Sequence, residues 1–69
     1  MSETTVEQSW VAFGPTGAVG VVHRVGAEFR MRLIADTDYR GAFPSLETAQ
    51  RALHAALGPG AEWPEFREH

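Results

Sequence analysis

The sequence predicts an α+β domain: a three-stranded antiparallel β-meander covered on one face by a single C-terminal α-helix, followed by a short C-terminal tail. Three observations predict it. Two turn signals, Gly14-Pro15-Thr16-Gly17 and Val25-Gly26-Ala27, separate runs rich in β-formers. Glu28 to Ile34 alternates apolar and polar residues with the period of a strand. Behind Ser45, the residues Leu46, Ala49, Leu53, Ala56 and Leu57 recur at helical spacing. The expected boundaries are a flexible N-terminus over residues 1–8, one β-β-β-α domain over 9–57, and a tail over 58–69.

Each element has its own justification. Residues 1–8 are polar and without period, as a frayed terminus is. Ser9 to Phe13 contains Trp10, Val11 and Phe13, and the Gly-Pro-Thr-Gly that follows has Pro at the second turn position, where its fixed φ belongs. Ala18 to Arg24 resumes the strand pattern with Val19, Val21 and Val22. Val25-Gly26-Ala27 is expected to close a three-residue hairpin, with Gly26 free to take positive φ. Glu28 to Ile34 then places Phe29, Met31 and Leu33 on one side, and Glu28, Arg30 and Arg32 on the other.

A register follows from asking which pairing brings apolar residues together. With Arg24 opposite Glu28, His23 faces Phe29, Val21 faces Met31 and Val19 faces Leu33. With Phe13 opposite Ala18, Trp10 joins Val21 and Ala12 joins Val19. The expected inner face is then Trp10, Ala12, Val19, Val21, Phe29, Met31 and Leu33, and a slip by one residue would expose that set. The loop Ala35 to Gly41 is polar. Phe43-Pro44-Ser45 is a helix start, with Ser45 as N-cap and Glu47 in the first turn; Glu47 and Arg51 stand four apart, and Gly58-Pro59 ends the helix.

Composition bounds the function. Sixty-nine residues make one domain close to the lower size limit for an unaided core, since a chain this short buries only about 60% of its unfolded surface. There is no cysteine, so neither disulfides nor thiolate metal sites can staple it. Residues 1–9 lack the basic start and apolar stretch of a secretory signal, and no apolar run approaches the length of a membrane span, so a cytoplasmic location is expected. All six basic residues are Arg, and there is no Lys or Asn; a GC-rich genome explains this, and selection of Arg for bidentate or stacking contacts is the alternative. The net charge of −3 disfavours a nucleic-acid partner.

The run from Glu28 to Leu57 joins a last strand (EFRMRLI) through an aromatic-ended loop to a Ser-capped, alanine-rich helix (FPSLETAQRALHAAL). In this layout it resembles the small YegP-like domains, which are mostly of unassigned function, and the arm-type DNA-binding domains of phage integrases. The first resemblance implies a small bacterial domain. The second implies DNA reading by the outer sheet face, although those domains are generally basic and this chain is not.

No catalytic arrangement is legible, and the expectation is a non-enzymatic binding module without a cofactor. Gly14 to Gly17 lacks the Lys and the following helix of a phosphate loop. His23, His54 and His69 have no metal-ligand spacing; His23 is expected as a core histidine bonded to a loop, and His54 as a solvated helix residue. Asp36 and Asp38 read as turn formers, because the other ligands of a calcium loop are missing. Ser9 has no evident His or acid partner, and Ser45 has its capping role.

Two surfaces remain. The outer sheet face is expected to carry Val11, Phe13, Val22, Arg24, Arg30, Arg32 and Ile34, an unusual mixture of cations and apolar groups. The preferred reading is a protein partner or self-association through this face; the alternative is nucleic acid, through Phe stacking and Arg. The tail offers Trp63 and Phe66 among Glu62, Glu65 and Glu68. These aromatics either close the end of the core or form an acidic-aromatic segment that docks on a partner.

Overall fold

The computed structural model describes residues 8–69. The expected flexible segment therefore lies outside the described residues except for Gln8, which is the first residue of a strand. The described chain runs β1 (Gln8–Gly14), β2 (Gly17–Val25), β3 (Glu28–Leu33), β4 (Arg40–Phe43), α1 (Leu46–Ala56) and β5 (Glu65–Glu68). The α+β class holds, with one helix on an antiparallel sheet. The sheet has five strands and not three, in the order β4-β3-β2-β1-β5.

Both additional strands come from segments that read as irregular. Residues 40–43 include Gly41 and Ala42 and pair with β3 through an irregular register, so they show no alternation to detect. The expected tail turns back after the helix and adds an edge strand beside β1, with Ala12 opposite Phe66 and Val11 opposite Arg67. Pro64 precedes this strand, where its missing N–H costs no ladder bond, and it is buried.

The register differs from the expected one at β2 alone. The second hairpin closes with two residues, Gly26 and Ala27, because Val25 pairs with Glu28. Gly26 takes a φ of 63°, the positive value that a tight type II′ loop places at its first central residue. Val22 therefore faces Met31, Arg24 faces Phe29 and Val21 faces Arg32. In the first hairpin Phe13 does face Ala18, but a bulge follows, and Ala12 pairs with Gly20 and Trp10 with Val22. The two displacements cancel between β1 and β3. Trp10, Ala12, Phe29, Met31 and Leu33 lie on the inner side as expected, and Val19, at the bulge, also packs against the core as expected; from Gly20 to Val25 β2 is turned over.

That reversal decides the core. The buried hydrophobic core consists of Ala12, Val22, Met31, Ala49 and Leu53. Helix α1 starts at Ser45, whose Oγ accepts a hydrogen bond from the Thr48 N–H at 3.2 Å. It lies over β2, β3 and β4 and presses Leu53 onto the sheet. Leu53 fits because Gly20 lies beneath it: a Cβ at residue 20 would stand 2.6 Å from Leu53 Cδ1 and 2.9 Å from the Arg32 carbonyl oxygen. On the far side of the helix Arg51 and Glu47 form the expected ion pair at 2.6 Å. Both side chains are largely exposed, so the pair adds little to stability.

Candidate functional site

The inner face is occupied by the helix. The outer face has no covering layer among the described residues, and the strand pairings give its layout. Directly opposed residues share a face. One row therefore crosses four strands in the order Arg67 (β5), Val11 (β1), Val21 (β2) and Arg32 (β3). A second row sets Ser9, His23 and Arg30 side by side, and a third sets Glu65 beside Phe13 and Ala18. Val11 and Val21 are half-buried, an apolar pair at the centre of a charged row.

Both arginines of the central row are braced. The Arg67 guanidinium stands 5.4 Å from the centroid of Phe13, and the Arg32 guanidinium 5.4 Å from that of Tyr39. Arg32 also donates from Nη1 to the Asp36 carbonyl at 2.8 Å and to the Leu33 carbonyl at 3.4 Å. Arg67 donates from Nε to Glu65 Oε1 at 2.8 Å. Each guanidinium carries five N–H donors, so neither is saturated by these bonds. Arg30 has no hydrogen-bond or ion-pair partner among the described residues.

Tyr39 ties the loop before β4 to this face. Its hydroxyl lies 3.0 Å from His23 Nε2, and the two rings stack with centroids 4.5 Å apart. Partial burial, with the Arg32 charge as a second cause, lowers the His23 pKa from its ordinary value of 6.5. His23 is thus bonded to a loop as expected, but on the outer face and not in the core.

Of the residues expected on the outer face, Val11, Phe13, Arg30 and Arg32 lie there. Val22 does not: the reversal of β2 buries it completely beneath the helix. Arg24 is also corrected, since it shares the inner side with Phe29, donating to the Gly26 carbonyl at 3.1 Å and to Gln8 Oε1 at 3.1 Å. Val21, His23, Tyr39 and Arg67 take their places. The first two follow from the register of β2, and Arg67 from the strand that the tail forms. Tyr39 gave no periodic signal.

The tail aromatics part company. Phe66 lies on the inner side of β5 and packs against the core. Trp63 is 54% exposed and leans on His54 and Phe66, with ring centroids 4.9 and 6.1 Å away. His54 is not a freely solvated helix residue, because its Nε2 lies 2.8 Å from the Ala61 carbonyl oxygen and holds the loop after the helix. Asp36 accepts from Arg40 at 2.8 Å, and among the described residues no group of three or more His, Asp or Glu is placed to hold a metal ion. No helix among them is long and apolar enough to cross a membrane.

Comparison with protein-family models, with curated proteins and with solved structures found no match. The likeness to YegP-like and integrase arm domains therefore rests on the sequence pattern.

Proposed function

We propose that the chain is a small binding module that engages a protein partner through the outer face of its sheet. The observation behind this reading is the uncovered central row, in which two half-buried valines lie between two arginines fixed on aromatic rings. A patch that joins apolar area to charged groups at its margin has the composition of a protein interface. Fixing the guanidinium groups beforehand reduces the ordering cost of binding.

The row also bears on self-association. Arg-Val-Val-Arg reads nearly the same from either end, so a second copy laid along it would set arginine against arginine. That repulsion favours a different protein over a twofold face-to-face pair. A second reading, an oligonucleotide, is favoured by Arg30, Arg32 and Arg67 lying on one face with Phe13 and Tyr39.

Peptide selection tests the reading. Peptides selected on the native protein are expected to bind it and to lose binding to Val21→Lys, whose melting temperature stays near the native value. Selected peptides that bind both proteins equally overturn the assignment of the face. A complex with a short oligonucleotide whose affinity falls steeply with added salt favours the second reading, because phosphate contacts release counterions.

A further inference from the structure

We infer that the partner of the central row is an extended acidic segment of the form acid-x-aliphatic-x-acid, lying across the strands. The inference rests on the protein-binding reading of the outer face and names the chemistry of its ligand. Arg67, Val11, Val21 and Arg32 stand on four consecutive strands of the sheet. Neighbouring strands are ~4.8 Å apart, so the two arginine positions are separated by about 14 Å. In an extended peptide, residues i, i+2 and i+4 point to one side. Residues i and i+4 then stand about 13 Å apart at ~3.3 Å per residue. Two acidic residues with that spacing stand opposite the two arginine positions, within reach of side chains this long, and the side chain midway between them falls on the Val11–Val21 pair.

The terminal groups suit this ligand in kind as well as in distance. A guanidinium presents a planar fork that a carboxylate accepts in two parallel bonds. Arg32 is held by Tyr39 and by the carbonyls of Leu33 and Asp36, and Arg67 by Phe13 and Glu65, so both forks have a defined place before the ligand arrives. Glu65 is the one acidic group in the three rows, and it is largely exposed, so an incoming carboxylate competes with a weak pair. An aliphatic centre is required because Val11 and Val21 offer no polar group. A lysine there would meet two cations.

Three capped peptides of the protein-binding class test the spacing by NMR titration of the full chain: Glu-Ser-Leu-Ser-Glu, its isomer Glu-Glu-Leu-Ser-Ser, and Gln-Ser-Leu-Ser-Gln. The first is expected to shift the amides of Val11, Val21, Arg32 and Arg67. It should bind about fivefold tighter than the Gln peptide, the size of effect that two exposed ion pairs give together, and about twofold tighter than the isomer, which keeps one of the two pairs. The variant Arg67→Glu should reverse the preference, taking Lys-Ser-Leu-Ser-Glu over Glu-Ser-Leu-Ser-Glu, while its amide spectrum remains that of a folded chain. Equal affinity for the two isomers, with shifts still on the outer face, overturns the spacing and leaves the protein-binding reading standing. No shift from any of the three peptides at millimolar concentration overturns the inference, and the peptide selection then decides the broader reading separately.

Discussion

Replacing Leu53 by Ala tests the packing that positions both faces of the sheet. Leu53 is fully buried, and its side chain rests on Gly20. Gly20 beneath it has no side chain, and Ala12 and Ala49 have no rotamers to change, so Met31 is the one flexible side chain of the buried cluster that can move into part of the space. The rest of the cavity should persist, which places the loss near the middle of the usual range for Leu→Ala, about 3.5 kcal/mol. A domain of 69 residues has a total stability of roughly 3–10 kcal/mol, so the variant should be close to unfolding at ambient temperature. Gly20→Ala alone should cost about 1–3 kcal/mol through overpacking against Leu53 and the Arg32 carbonyl. The two changes should not add. In the double variant the new methyl enters the space that Leu53 vacated, and the loss should fall short of the sum by about 1 kcal/mol or more. Chemical denaturation followed by circular dichroism measures all three. Strictly additive losses would refute the contact between helix and β2, and with it the reversal of that strand.

Two further outcomes follow from the same geometry. Phe66→Ala should destabilise the domain by about 2 kcal/mol, more than Trp63→Ala, because Phe66 packs on the core from β5 while Trp63 is 54% exposed; equal melting temperatures for the two variants would return the segment to a loose tail. The His23 pKa is depressed in the folded chain, so the unfolded chain binds the proton more readily, and His23 contributes stability above its unfolded pKa near 6.5 that is lost as pH falls below it. His23→Gln should flatten that part of the stability profile, and an unchanged slope between pH 7 and 5 would assign the effect to other groups.

Much of this molecule is legible in its residues, and the parts that are not have identifiable causes. Helix α1 follows from Ser45, the spacing of Leu46, Ala49 and Leu53, and the stop at Gly58, all of which act within a few residues. The faces of β1 and β3 follow from alternation. Strand β2 defeats the same test, because Gly17–Val25 carries valines at both parities: Val19, Val21 and Val25 on one, Val22 on the other. An ion pair between Arg24 and Glu28 then looks decisive, although such a pair contributes only a fraction of a kcal/mol. What fixes the register is the Gly26-Ala27 loop together with the space that Leu53 needs above Gly20, and the latter is a contact between residues far apart in the chain. Strand β5 is four residues long, and its partner β1 lies more than fifty residues earlier. Val22 and Arg24 depart from the expected outer face for the first reason, and Arg67 joins that face for the second.

The most direct test of the account is an amide perturbation map of the full chain, titrated with a peptide selected on the native protein. The expected shifts centre on Val11, Val21, Arg32 and Arg67, with Ala49 and Leu53 on the opposite side of the sheet unmoved. Shifts that centre on helix α1, or on the cleft that Pro15 and Val19 form with Leu57 and Pro64, would contradict it.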